Sequence, residues 1–69
     1  MKTWRVTYTD KNECRYASSH VCRAESIRGA VAQFERGTFS VVTNRFKGTP
    51  DTHRGWAYSD TRNYMVEQV

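Results

Sequence analysis

Between Ser26 and Arg36 the apolar residues recur with a helical period, and no other window of the chain shows it. Ile27, Ala30, Val31 and Phe34 fall at i, i+3, i+4 and i+7, on one stripe of a 3.6-residue spiral, while Arg28, Gly29, Ala32, Gln33 and Arg36 point away. Ser26 stands where a hydroxyl can cap the first amides, and Gly37 is placed to end the helix in a left-handed turn. An apolar stripe of this kind has to be covered. The flanking sequence is strand-like on both sides, so a helix laid across a sheet is the arrangement it allows.

Trp4, Val6 and Tyr8 alternate with Thr3, Arg5, Thr7 and Thr9, as a half-buried strand does. Asp10 to Glu13 is turn material. The second strand has two readings. Either Cys14 to Ala17 returns directly as a hairpin and His20 to Ala24 extends it, or Lys11 to Ala17 loops and Ser18 to Ala24 does the pairing. We favour one irregular strand, with Ser18-Ser19 as a site for a bulge. Thr38 to Phe46 is the strongest strand pattern, and Lys47 to Gly55, which holds Gly48 and Pro50, reads as an exposed loop. Trp56-Ala57-Tyr58 reads as a short strand with both aromatics on one face. Asp60 to Asn63 reads as a turn, and Tyr64 to Val69 is a candidate fifth strand. The expected fold is a single α+β domain over residues 1–69: one antiparallel sheet of four or five strands, order β-β-α-β-β, with one helix on one face. Its expected core is Trp4, Val6, Tyr8, Ile27, Val31, Phe34, Phe39, Val41 and one of Trp56 or Tyr58. Gly29, inside the first helical turn, costs about 1 kcal/mol relative to Ala and has no reason visible in the sequence.

At 69 residues there is little room for a substrate cleft beside a core. Eleven Lys and Arg against seven Asp and Glu leave a formal charge of +4, which permits an anionic partner without demanding one. Eight of those cations are Arg, the residue suited to bidentate contact with phosphates and carboxylates. No apolar run reaches the roughly 20 residues of a membrane span. The chain opens at Trp4-Arg5-Val6-Thr7 into alternation rather than a signal-peptide core, so the expected setting is a cytoplasm with reduced thiols.

Three constellations bear on chemistry. Cys14, His20, Cys22 and His53 supply zinc ligands by type, but the interval from Cys14 to Cys22 does not fit a tight zinc knuckle, and buried cysteines also serve as small apolar residues. The expectation is no metal and no cofactor. Cys22 with His20 or His53 could form a nucleophilic pair, yet nothing in the sequence resembles an oxyanion hole, and the acids are scattered; the expectation is no enzyme. The third constellation is basic and aromatic. With Trp4, Val6 and Tyr8 facing the helix, Arg5 lies on the other face of the sheet, where Arg15 or Arg23 can join it. Downstream, Arg45, Lys47, His53, Arg54, Trp56, Tyr58 and Arg62 interleave cations with aromatics, a pattern suited to single-stranded nucleic acid. The competing reading puts Trp56 and Tyr58 in the core with the cations merely solvated.

The leading strand Trp4-Arg5-Val6-Thr7, a second strand ending in Ala24-Glu25-Ser26, a short helix with Ala30 and Phe34 inward, and a following strand Phe39 to Thr43 together resemble a loose group of small phage proteins. The group includes some anti-CRISPR proteins and the early inhibitor by which certain podophages block host RNA polymerase. The resemblance covers residues 3–46. The chain departs from the polymerase inhibitor in its longer C-terminal part and its basic charge, and no functional residue carries over. What the resemblance implies is a compact, non-enzymatic modulator acting in the host cytoplasm on a host protein or ribonucleoprotein complex. The alternative is direct binding of RNA or DNA. A membrane is not an expected partner, and either a monomer or a homodimer is consistent with the sequence.

Overall fold

In the computed structural model the backbone is described for residues 1–43, 45–46, 49–50 and 53–69, and side chains for 1–12, 17–43 and 53–69. Strands β1 (Lys2–Asp10) and β2 (Glu13–Ala24) form a hairpin, followed by helix α1 (Ile27–Ala32) and strand β3 (Ser40–Val42). Strands β4 (Arg45–Phe46) and β5 (Thr49–Pro50) make a two-residue ladder, and β6 (Arg54–Tyr58) and β7 (Arg62–Gln68) complete the chain. The main sheet is antiparallel and five-stranded, in the order β2-β1-β7-β6-β3. The first and last strands are therefore central neighbours, with Val6 opposite Val66 and Tyr8 opposite Tyr64. The fold is the expected α+β one, with the candidate last strand present as β7.

The helix joins opposite edges of the sheet, from β2 to β3, a distance of four strand spacings or about 19 Å. The helix itself has six residues and is about 9 Å long. It stops at Ala32 rather than Arg36; Ile27 at its start reaches Gly55 on β6, Phe34 just past its end packs beside His20 of β2, and residues 33–39 make the crossing to β3. Ser26 is the N-cap, its hydroxyl accepting from the Gly29 amide at 3.2 Å. Gly37 does not end the helix and is not left-handed; its amide donates to Glu35 Oε2 at 3.2 Å. At the same end the Gln33 side chain donates to the Arg23 carbonyl at 2.8 Å, tying the end of the helix to the edge strand.

Four readings along the chain also change. β6 begins at Arg54, inside the expected Lys47–Gly55 loop, and β7 at Arg62, inside the expected Asp60–Asn63 turn. β2 is one irregular strand, but Ser18 and Ser19 pair regularly with Tyr8 and Thr7, and the irregularity lies where the register shifts between Tyr8 and Asp10. The strand expected from Thr38 to Phe46 is cut at Val42, whose partner is Trp56. The next position on β6 is Gly55, which offers a continued ladder no side chain to pack against.

The covered face carries Trp4, Val6, Ala24, Ala57, Tyr64 and Val66, all buried beneath Ile27, Ala30 and Val31. Tyr8, Cys22, Phe34, Phe39 and Val41 are packed around them, half-buried. The Trp4 indole N–H donates to the Ala24 carbonyl at 3.0 Å, so the largest core side chain leaves no orphaned donor. Neither Trp56 nor Tyr58 belongs to this core, contrary to expectation. The inward positions of β6 are Gly55 and Ala57, and a Cβ at Gly55 would lie 3.0 Å from the Val42 carbonyl oxygen and 3.1 Å from Ile27 Cδ1. The helix and β3 together crowd this position of β6, so that a larger residue would have to push its neighbours aside.

A polar clasp closes one end of this layer. The Glu35 carboxylate accepts from the Ser59 hydroxyl, from the Gly37 amide and, at 3.2 Å, from the Tyr64 hydroxyl. These donors, Ser59 foremost, hold its carboxyl below the usual carboxylate range. Burial pushes the Tyr64 phenol up. Arg62 lies 4.5 Å from the centroid of the Tyr8 ring and donates to the Phe34 carbonyl at 3.2 Å.

Gly29 and Gly55 are expected to respond oppositely to alanine. A Cβ at Gly29 meets Ala24 Cβ and Ser26 Oγ at 3.5 Å, an ordinary contact, so Gly29→Ala should raise the unfolding free energy by about 0.5–1 kcal/mol. Gly55→Ala should lower it by about 1–3 kcal/mol. Urea titrations measure both. The clasp sets a pH dependence. Because the Glu35 pKa is depressed on folding, its stabilisation is present above about pH 4.3 and is lost as the pH falls further. The raised Tyr64 value works in the opposite sense: its contribution is complete below about pH 10 and is lost as the phenol ionises. Glu35→Gln should flatten the acid limb of the stability profile, and Tyr64→Phe the alkaline limb.

Candidate functional site

With the helix on one side, alternation assigns every other strand residue to the opposite, open face, and the register sorts these into cross-strand rows. One row runs Ser19, Thr7, Met65, Trp56, Val42; a second runs Val21, Arg5, Glu67, Arg54; a third places Thr9 beside Asn63, Tyr58 and Ser40. Trp56 is 40 % exposed and Tyr58 47 %, and Val21, Val42 and Met65 are exposed with them. The two aromatics stand two residues apart on β6, so their Cα atoms are about 6.7 Å apart along the strand. Trp56 and Met65 form a ridge between two shallow depressions. One, of about 160 Å³, is bordered by Arg54 and Glu67. The other, of about 220 Å³, is bordered by Thr7, Thr9 and Asn63.

The charge on this face is mostly positive. Arg5, Arg23 and Arg54 belong to it by register, and Arg5 Nη1 pairs with Glu67 Oε1 at 3.1 Å. Exposed on both sides, that pair orients Arg5 more than it stabilises the fold. Lys11, at the β1–β2 turn, brings its ammonium to 5.8 Å from the Tyr58 ring centroid. Among the described residues Glu67 is the one acid here; Asp10 shares the parity of Tyr8, Glu35 is in the clasp, and Glu25 and Asp60 lie outside the strands.

Of the residues singled out from the sequence, the open face gathers Arg5, Arg23, Arg54, Trp56 and Tyr58. Arg62 has the opposite parity and lies over Tyr8 on the helix side, where it holds the clasp. Arg15, Arg45 and Lys47 lie outside the residues whose side chains are described. Lys11, Met65 and Glu67 were not singled out. The signal for Met65 and Glu67 was present in the alternation of Asn63, Met65 and Glu67 with Tyr64 and Val66. Lys11 is brought to Tyr58 only by the pairing of β7 with both β1 and β6.

The cysteine and histidine set is dispersed. His20 and Cys22 face the helix side from β2, opposite Val6 and Trp4. His53 Nδ1 lies 3.1 Å from Gln68 Oε1, beside β6. Three strand spacings, about 14 Å, separate β2 from β6, too far for shared coordination. Cys14 lies outside the described side chains, and among the described residues no group of three or more metal-ligating side chains occurs. The exposed His20 ring forms a three-ring cluster with Tyr8 and Phe34, their centroids 5.6 and 5.3 Å from it and 6.2 Å from each other. Burial pushes the Cys22 thiol up, away from the thiolate a nucleophile needs. No described helix is long and apolar enough to cross a membrane.

No protein family, curated protein or solved structure matches the chain.

The two tryptophans report on the two faces separately. In a Trp4→Phe protein the remaining Trp56 should emit at long wavelength and be quenched readily by iodide. In a Trp56→Phe protein the buried Trp4 should emit at short wavelength and resist quenching. Trp56→Ala should cost about 1 kcal/mol or less in a urea titration, against about 3–5 kcal/mol for Trp4→Ala.

Proposed function

We propose that this chain is a small non-enzymatic binding protein of the phage-modulator type, docking on a host protein or ribonucleoprotein complex through the open face of its sheet. The observation that carries this reading is the outward placement of Trp56 and Tyr58 together, on a face flanked by Arg5, Arg23 and Arg54. Aromatic and arginine side chains are the residues most often found at binding hot spots, and a contiguous exposed patch of them is uncommon on a surface that meets only water. The state of Cys22 and the stacking of His20 favour binding over catalysis.

Affinity capture from a bacterial host lysate, with and without nuclease, tests the reading. The native chain should retain one host complex. Retention should be lost in Trp56→Ala/Tyr58→Ala and in Arg5→Glu/Arg54→Glu, and kept in Arg28→Glu/Arg36→Glu, which carries the same charge change away from this face. Equal loss in the last variant, or none in the first two, would show that the contact surface lies elsewhere.

A further inference from the structure

We infer that the open face takes single-stranded nucleic acid, with adjacent bases stacked on Trp56 and Tyr58; the inference rests on the assignment of this face as the binding surface. The spacing of the rings is the first ground. Neighbours about 6.7 Å apart on a strand stand at roughly twice the 3.4 Å rise of a stacked nucleic-acid strand. Adjacent bases can take one ring each only when splayed apart, which a single strand allows and a duplex does not.

The setting of the rings is the second ground. Beside the apolar Met65 and Val42, the rings have short polar neighbours. Here Thr7, Thr9, Ser40 and Asn63 share the rows of the two aromatics, leaving short hydroxyl and amide groups to meet phosphates, sugars and base edges.

Charge is the third. Arg5 and Arg54 flank Glu67 in the row beside Trp56, and Lys11 stands over Tyr58, so cations lie at both ends of the aromatic pair, where a backbone crossing it would run. Glu67 opposes that backbone and also holds Arg5 at 3.1 Å. Its carboxylate is thus expected to weaken binding, and its removal to strengthen it.

Fluorescence anisotropy with labelled uridine and thymidine decamers and a duplex of equal length, at low salt, tests the inference on the intact chain. The single strands should bind and the duplex should bind more weakly. Trp56→Ala and Tyr58→Ala should each weaken binding by about tenfold. Arg54→Gln should weaken it and reduce the slope of log K against log salt by about 0.7. Glu67→Gln should tighten it by roughly two- to fivefold. A preference for uridine over thymidine strands would identify RNA as the source of the ligand and equal affinity a single strand of either sugar; either supports the inference. It is overturned if no single strand binds, if the duplex binds as well as the single strands, or if both aromatic variants bind like the native chain. Nuclease-resistant capture of a host protein, lost in Trp56→Ala/Tyr58→Ala while the decamers do not bind, would overturn the nucleic-acid inference and leave the face as a protein-docking surface. Unfolding transitions of the four variants, close to native, exclude misfolding as the cause of any loss.

Discussion

One six-residue helix can cover only one face of a five-stranded sheet, and the rest of the molecule follows from which face it takes. The helix meets β6 tightly at Gly55, where a Cβ would lie 3.1 Å from Ile27 and 3.0 Å from the Val42 carbonyl of the neighbouring strand. That contact sets the parity of β6. Once Gly55 and Ala57 lie inward, Arg54, Trp56 and Tyr58 have no alternative to the open face, because the side-chain period of a strand is two.

The same rule gives two arginines of similar surroundings in sequence opposite tasks. Arg54 and Arg62 both neighbour aromatics near a turn. Arg62 has the parity of Tyr64 and is drawn under the chain that follows the helix, where it lies over Tyr8 and bonds the Phe34 carbonyl. Arg54 has the parity of Trp56 and joins the open face opposite Glu67. The polar interactions that close the covered layer are thus kept on the opposite side of the sheet from the charges of the open face. Ser59, Tyr64 and Glu35 belong to the first group; Arg5, Arg23 and Arg54 to the second.

Much of this layout is legible in single segments. The stripe of Ile27, Ala30 and Val31, the Ser26 cap and the inward facing of Trp4, Val6 and Tyr8 are local patterns, and each is present as read. The length of the helix was not legible. Phe34 continues the periodic stripe and still packs inward, beside Tyr8 and His20, although the helix has already ended at Ala32; periodicity marks which residues face the sheet and not where the helical hydrogen bonds stop. Tyr64 and Val66 are core residues hidden in a segment whose alternation is short and whose flanks are polar. The core place given to Trp56 or Tyr58 rested on aromatic side chains as the usual means of filling a small core, a weight that their glycine and alanine neighbours outweigh only when the helix lies directly above.

What the residues alone determine here is periodicity: where a helix forms, where strands alternate, and so that a single helix rests on an antiparallel sheet. Which of two alternating sets faces that helix is not a property of any one strand. It is decided by how closely two layers approach, and that distance exists only once β1 and β7 have paired and carried β6 beneath Ile27. The candidate binding surface is the remainder of that decision, which is why its arginines and aromatics were visible in the sequence while their common side was not.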